Sequence, residues 1–493
     1  MSSWPKMVDQ SDTPRAAASA QIIKLVRGYD GAARNRRTNG WVTKTTSSDT
    51  ETRTQLVALR NNSRDLVRNS ARARRIVDIH ASNVVGDGIM ANITTGNPDL
   101  DRRAEDLWSA WCDVADAGGQ LDFYGMQRLI MKGVVEAGEV LARFRPRRPS
   151  DGLPVPFQIQ LLEAEHLDTG RDSLSSPHIV QGVEYSPIGG RAGYWLYPEH
   201  PGDAFAFATT SRRVDASEIC HIYRLDRPGQ TRGVPWLAPV IRDIRELDEY
   251  EDATILKAKI AACLAAFVTS PDGGDAPPIA PGSTNADGYN VETFEPGMIS
   301  YLRPGEDVKF ADPGAASPFQ DFAIYKGMSI ATGAGVTYDQ LTGDLRQANY
   351  SSLRAGKTEF KRTNADNQKK MLVPMFCAPV ARWFLRTALD AGLLPDAAYR
   401  FEWIPPADPP IDTLKDIEAD KIAVRSGFVP WSYVVRRNGY DPDRVLEEIA
   451  KWNKKLDEAG VVLDVDPRQE QKLAEMQAEA KTDQPQQGEP VDD

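Results

Sequence analysis

From Thr54 onward the apolar residues recur at helical spacing, with Leu56, Leu59 and Leu66 followed by Ile76, Val77 and Ile79. The run Val84-Val85-Gly86-Asp87-Gly88-Ile89 reads as a turn out of this helical region. Two further helices are predicted over roughly 100–115 and 123–137. Between 138 and 223 the pattern becomes strand-like, over 139–145, 157–162 and 193–197, with turn clusters at 187–190 and 198–203. This β-rich region ends at Ile219-Cys-His-Ile-Tyr223.

Helical spacing returns with Leu237, Val240, Ile241, Ile244 and Leu247 and resumes with Leu256, Ile260, Cys263 and Leu264. Together these predict one helix over about 237–268, about 45 Å long at 1.5 Å per residue. Its middle is acidic, with Asp243, Glu246, Asp248, Glu249, Glu251 and Asp252. Residues 271–317 are rich in Pro and Gly and hold two short strand-like runs, 298–302 and 308–310, which suggests a small β-containing insertion. Ser317 is an expected cap and Pro318 an expected first-turn residue for a helix running to about Thr332, broken by Gly333 and Gly335. A polar loop, 338–349, follows and has no long apolar run to give it a core. Ser351 then caps a long basic helix that carries Lys357, Lys361, Arg362, Lys369 and Lys370 and bends at Pro374 and Pro379. Beyond the Pro-rich 405–410 come short helices. The clearest opens at Asp441-Pro442, is expected to bury Val445, Ile449, Trp452 and Leu456, and stops at Gly460. Residues 1–53 read as a loosely held arm, and the acidic tail after about 460 as frayed helix and then disorder.

Composition narrows the function classes. The chain has 41% hydrophobic and 26% charged residues, a formal net charge of −11 and a pI near 5.2. Tight, non-specific DNA binding requires basic surface, so any nucleic-acid contact is expected to be local or weak. Cys112, Cys220, Cys263 and Cys377 are scattered and form no CxxC pair, which suits a reducing compartment. The N-terminus has no apolar signal core, and the most apolar run, 260–268, is too short to span a bilayer. A soluble, intracellular protein is expected.

Gly356-Lys357-Thr358 matches the end of a nucleotide-binding P-loop, but Ser351 stands where the first Gly belongs. The preceding residues, 346–350, are too polar for a buried parallel strand. None of the five histidines lies in a metal-ligand spacing, and there is no nucleophile elbow or dinucleotide fingerprint. Glu163 and Glu165 with His166 can be drawn as an acid/base group, although a polar turn after a strand explains them better. No enzyme, cofactor or metal is therefore expected. Arg60, Arg64, Arg68 and Arg72 share one helix face; such a row serves as a solvated face, as salt bridges to a neighbouring element, or as contact with nucleic acid or an acidic subunit.

The order of these segments, together with four blocks, resembles the lambda-like family of tailed-phage portal proteins. The blocks are Ser63-Arg-Asp-Leu-Val-Arg-Asn69, Asn83-Val-Val-Gly-Asp-Gly-Ile89, His200-Pro-Gly-Asp203 and, most distinctively, His221-Ile-Tyr-Arg-Leu-Asp-Arg-Pro-Gly-Gln-Thr-Arg-Gly-Val-Pro235. The resemblance covers roughly 29–460 and leaves out the arm and the tail. It implies an α+β portal fold assembled as a ring, a dodecamer, at a capsid vertex, through which DNA enters and leaves. Residues 54–236 would form the wing, 237–268 and 318–335 the two stem helices, and 269–317 the clip between them. Residues 336–350 would form the tunnel loop, 351–394 a helix returning to the wing, and 395–460 the crown. Implied partners are double-stranded DNA, the large terminase, head-completion or adaptor proteins, and the major capsid and scaffolding proteins. The implied location is the virion, after assembly in the host cytoplasm. Asp344, Arg346, Gln347, Asn349 and Arg354 would approach DNA; Asp243, Glu246, Glu249 and Asp252 are candidates for an acidic channel lining. The alternatives are a terminase-type ATPase using Gly356-Lys357-Thr358, and a structural capsid or adaptor protein without a channel.

Overall fold

The computed structural model describes residues 36, 39–40, 43–204, 210–262, 266–269, 283–284, 290–291, 307–310, 319–346, 350–407 and 412–461. Two units are distinguished, Met1–Ser47 and Ser48–Asp493, and every element named here lies in the second. The chain begins with α1 (Ser48–Thr52), α2 (Leu56–Asn69), α3 (Ala71–Val85), β1 (Met90–Thr94), α4 (Pro98–Cys112) and α5 (Phe123–Ala137). The helix ends follow from local chemistry. The Asp122 side chain accepts the Gly125 N–H at 2.6 Å, and Gly138, at φ +92°, stops the same helix. Asn97 caps α4, with Pro98 in its first turn.

The β region holds β2 (Glu139–Pro146), β3 (Phe157–Glu163), β4 (His178–Val180), β5 (Val183–Tyr185), β6 (Arg191–Leu196), β7 (Arg212–Asp215) and β8 (Ile219–Tyr223). They form two antiparallel sheets, ordered β3-β2-β8 and β4-β5-β6-β7. Alternation along β2 divides its faces. Val140 and Ala142 join the main core, which is rich in aromatics such as Trp108, Trp111, Phe123, Phe157 and Phe384. Leu141 points the other way and packs with Leu162, Val183, Tyr194 and Ile219 between the two sheets.

Next come α6 (Ile241–Ala262), β9 (Ala266–Thr269), β10 (Ser283–Thr284), β11 (Asn290–Val291), β12 (Asp307–Phe310), α7 (Phe319–Ala334), α8 (Tyr338–Thr342) and α9 (Tyr350–Asn367). The long helix expected over 237–268 is therefore shorter. It begins at Ile241, after turns at 237–240, and 266–269 is a strand paired antiparallel with β12. Residues 298–302 and Ser317-Pro318 lie outside the described residues, as does Cys263. The other three cysteines are buried and free.

A π-helical stretch, Gln368–Cys377, continues α9 directly into α10 (Ala378–Asp390). The bend expected at Pro374 is absorbed by this widened helix, in which the Ala378 N–H reaches the Val373 carbonyl five residues back. β13 (Arg400–Ile404) pairs with β1, and α11 (Thr413–Arg425), α12 (Trp431–Arg437) and α13 (Pro442–Ala459) complete the described chain. α13 has the expected limits: Asp441 caps it, Pro442 opens it and Gly460 ends it in the left-handed region. Its expected buried face is not buried within the chain: Ile449 is 46% and Trp452 53% exposed.

Candidate channel segment and the ionic hub that anchors it

The segment that leads into α6 is fixed by one buried carboxylate. Glu139, the first residue of β2, is 1% exposed. Its Oε1 accepts from Arg60 Nη2 at 2.8 Å and Arg232 Nε at 2.9 Å; its Oε2 accepts from His221 Nε2 at 2.9 Å and the Gly233 N–H at 2.8 Å. Burial alone would raise the Glu139 carboxyl, but Arg232, His221 and Arg60 hold it well below the usual carboxylate range. Burial pushes the His221 imidazole down, against the pull of Glu139. A neutral His221 that donates from Nε2 leaves Nδ1 to accept from Arg191 Nη1, at 3.1 Å. Arg232 is completely buried and also donates to the Gln181 carbonyl at 3.1 Å. The distinctive sequence block that begins at His221 thus supplies three of Glu139's partners, His221, Arg232 and the Gly233 amide.

The arginine row of α2 and α3 is largely consumed in the same way. Arg60 also reaches Glu165 at 3.2 Å, Arg64 holds Glu163 and Glu165 at 2.8 Å each, and Arg72 on α3 holds Asp248 of α6 at 2.8 Å and pairs with Glu251. Arg68 alone is surface-lying, 3.6 Å from Asp65. The row is therefore not one solvated face: a buried Arg60 sits at one end and a link to α6 at the other. Glu163 and Glu165 approach His200 closely enough to suggest a cation site, but the Arg64 guanidinium already occupies three of their oxygens. His166, drawn with them from sequence, instead donates from Nδ1 to the Tyr197 carbonyl at 3.1 Å.

α6 and α7 run as an antiparallel pair. Gly333 faces Val240 so closely that a Cβ there would stand 2.5 Å from Val240 Cγ1, and the helix expected to break at Gly333 runs on to Ala334. Lys326 of α7 reaches Asp243 at 2.9 Å and Glu246 at 3.4 Å, and Tyr250 stacks on Phe319 with centroids 5.7 Å apart. Of the acidic residues singled out from sequence, Asp243 and Glu246 share Lys326, Glu246 also pairs with Arg242, and Glu249 pairs with Arg245. Asp252 is exposed and makes no ion pair among the described residues.

The loop after α7 is more structured than its polarity suggested. Gly335, at φ +70°, ends α7. Thr337 and Gln340 form a capping box for α8, and Val336 and Leu341 are buried among Ile76, Ile330 and Phe360. The expectation that the loop has no core to support is wrong for its first half. Arg75 Nε donates to the Gln340 carbonyl at 3.1 Å, and His80 Nε2 donates to the Ala334 carbonyl at 2.9 Å, so α3 braces both ends of the α7–α8 turn. Burial lowers His80 to about 4. Past Gly343, Leu345 and Arg346 are exposed, and the Asp344 carboxylate takes the Arg346 side chain at 2.7 Å. Arg354 lies on α9, 3.7 Å from Asp416 of α11. Gln347 and Asn349 lie outside the described residues.

α9 already begins at Tyr350, so Ser351 stands in its first turn and not before it. Gly356-Lys357-Thr358 is regular helix more than one turn inside, with Thr358 Oγ1 donating to the Arg354 carbonyl at 2.8 Å. Backbone N–H groups in a helix interior are committed to the helix and cannot converge on a phosphate.

A family model described as phage portal protein, lambda family, matches residues 34–368. A probable portal protein of Halomonas phage phiHAP-1 is 26% identical over 486 residues, covering 92% of each chain. Portal protein B of Escherichia phage lambda is 20% identical over 451 residues, covering 80% of this chain and 83% of that one. Among solved structures, a chain from the neck of a native gene transfer agent particle is similar over 79% of this chain and 94% of its own, at 16% identity and a TM-score of 0.46. The family match takes in the ionic hub, the α6–α7 pair and the loop that follows, which is more than half of the chain, and it places this protein in the lambda family of phage portal proteins.

Proposed function

We propose that the chain closes into a ring, a dodecamer, whose central opening is the conduit for DNA at one capsid vertex during packaging and ejection. The observation that carries this is the α6–α7 pair. Both helices are anchored in the ion-paired body and joined through 263–318, yet their outer flanks expose Ile255, Leu256, Tyr325 and Met328. Such flanks fit neighbours related by rotation. In this reading 54–236 is the wing, α6 and α7 the stem, the segment between them the clip, and the residues from 395 the crown. The clip takes the large terminase and later the head-completion or adaptor proteins. The outer body meets the major capsid and scaffolding proteins during assembly in the host cytoplasm. The protein acts without a catalytic step or a cofactor.

DNA of any sequence has to pass without sticking. Acidic walls with isolated cations do this, because each phosphate contact is weak and easily replaced. With Asp243 and Glu246 committed to Lys326, the free acidic contribution of the stem rests on Asp252 and the outward-lying Glu249. At the loop, Arg346 carries its own counter-charge in Asp344, which suits brief contact; Gln347, Asn349 and Arg354 complete the set. The test replaces 343–349 with a Gly-Ser linker and measures DNA in assembled heads. Shorter or poorly retained DNA supports the conduit; a full, stably held genome removes the loop from it.

A further inference from the structure

Arg60, Arg64, Arg72 and Arg213 all hold carboxylates. Six arginines around the outer end of β2 do not. Arg143, Arg145 and Arg147 alternate along β2 and into the turn after it, Arg148 follows, and Arg382 and Arg386 lie one turn apart on α10. Among the described residues none of the six forms an ion pair. The two elements meet at Phe144. The Arg386 guanidinium lies 5.4 Å from the centre of the Phe144 ring. Trp383 packs on the same ring, centroids 5.5 Å apart, and its Nε1–H donates to the Ser217 carbonyl at 2.8 Å. Arg143 stands opposite Ile219 in the β2–β8 pairing, next to Glu218.

This end of β2 lacks counter-charge. Burial and the neighbouring Arg145 hold the Arg143 guanidinium below its ordinary range, Glu218 offsets them only in part, and Arg143 Nε is buried without an acceptor. Arg147 Nε finds only the neutral Gln158 side chain, at 2.8 Å. Guanidinium forks take carboxylate or phosphate. This chain has its own supply of carboxylate. Residues 462–493 lie outside the described residues, and their sequence has nine acidic and three basic residues, a net −6 out of the −11 of the whole chain. The last described residue, Val461, is 48% exposed. About thirty residues beyond it reach about 100 Å when extended, against a radius of gyration of about 22 Å for a domain of this size. Spacing and shape favour this segment over DNA. Arg143 and Arg145 are about 6.7 Å apart along the strand, and Arg382 and Arg386 about 6 Å apart along the helix. Asp464 and Asp466 present carboxylates at the strand interval when extended. By alternation Arg143 and Arg145 project from the face of β2 opposite to Phe144 and Arg386, so one occupant has to pass round the strand end. A flexible segment does so; a duplex with a persistence length of about 50 nm lies along one face only.

We propose that the arginine surface of β2 and α10 is the docking site of this chain's own acidic segment, 462–493. Docked there, the segment supplies the carboxylates that the arginines lack. It also screens them from nucleic acid, so that DNA does not adhere to the outside of the conduit it has to traverse. The screening role rests on the conduit reading above; the docking does not.

The test uses the full chain at about 0.05 M salt, where exposed charges are little screened. Phenylglyoxal modification of Arg382 and Arg386, read by mass spectrometry, is compared in the wild type and in a variant neutralised by Asp464→Asn, Asp466→Asn, Glu470→Gln and Glu475→Gln. Binding of a fluorescent DNA duplex is measured in both, and again after Arg382→Gln and Arg386→Gln are added to the neutralised variant. The expected result is about fivefold faster modification and about tenfold tighter duplex binding in the neutralised variant, with the gain in binding lost when the two arginines are replaced. Equal modification rates in the wild type and the neutralised variant overturn the proposal. A duplex held equally tightly by both through Arg382 and Arg386 assigns the surface to DNA and likewise overturns it. Protection that appears only on adding scaffolding protein assigns it to that partner, with the same consequence. Tryptic cleavage of the wild type after Arg468 and Lys472 keeps the test decisive if a variant fails to fold. Cleavage that speeds up between about 0.05 M and 0.5 M salt supports docking, and an unchanged rate overturns it. None of these readouts needs a ring, so failure of the docking and failure of the conduit reading are told apart.

Discussion

Gly233 lies against Gly138 so closely that a Cβ on Gly233 would stand 2.1 Å from the Gly138 carbonyl oxygen. A Cβ on Gly138 would in turn stand 2.6 Å from the Val234 carbonyl carbon, and Gly138 is at φ +92°. The two glycines allow the end of α5 and the approach to α6 to touch through backbone alone. Gly233→Ala is therefore expected to destabilise the chain by about 1–3 kcal/mol or more, as overpacking of a rigid contact does. Urea denaturation measures it; an unchanged midpoint would mean that the contact relaxes freely.

Gly356→Ala is expected to have the opposite sign. The added methyl meets Thr337 Cγ2 at 3.4 Å, an ordinary contact, inside regular helix. Removing a helix-interior glycine stabilises by roughly 0.5–1 kcal/mol. The same variant and Lys357→Ala should leave ATP binding at background in a filter assay. Saturable binding that either substitution abolishes would restore the nucleotide-site alternative.

Glu139→Gln is expected to cost about 3–5 kcal/mol, because the buried Arg60 and Arg232 lose their counter-charge. Combining it with Arg232→Met should cost less than the sum of the two single changes, since the second removes a charge the first has stranded. Equilibrium unfolding of the three variants checks this; strict additivity would mean that the pair is not coupled.

Acid should weaken the fold through His80. Its folded pKa is lowered to about 4 by burial, below the ordinary value of about 6.5. The neutral form is the folded one, so its stabilisation is fully present above pH ~6.5 and is lost as pH falls from ~6.5 towards 4, by up to about 3 kcal/mol. The slope of stability against pH in this window should be shallower in His80→Gln. Equal slopes would assign the acid sensitivity to other groups, such as the Glu139–His221 pair, which acts in the same direction.

Within the loop after α7, stability and DNA contact should separate. Leu341→Ala is expected to cost about 2–5 kcal/mol, since Leu341 is buried against Ile330 and Phe360. Arg346→Ala, at an exposed tip, should change stability by less than about 0.5 kcal/mol and alter only DNA retention in heads. Melting temperatures of the two variants decide whether the division at Gly343 is real.

The helices α5 and α13 and the strands β2, β3 and β8 were legible because their caps, glycine stops and alternation are local signals, whereas the break at Ser70 that splits the first helical region into α2 and α3 was not. The ends of the 237–268 helix were not. Leu237, Val240 and Val268 continue the apolar pattern, while strand pairing with 307–310 claims the far end and turns claim the near one. Polarity misled in two places. Arg60 reads as surface yet is buried, because its partners Glu139 and Glu165 lie 79 and 105 residues away. Leu341 reads as a loop residue, although two apolar side chains suffice to seat α8 on α3. The family was legible in the block from His221 to Pro235, and the hub gives that block a physical role as the clamp on Glu139.

The central claim is that this chain closes into a ring with an open axis. Negative-stain electron microscopy of the purified protein tests it most directly. The expected image is a closed ring with a central stain-filled opening, and light scattering of the same sample should give a mass many times that of the 54.4 kDa chain. A chain that stays monomeric at high concentration and in the presence of its scaffolding protein, or that forms solid or open assemblies without an axial opening, would contradict it.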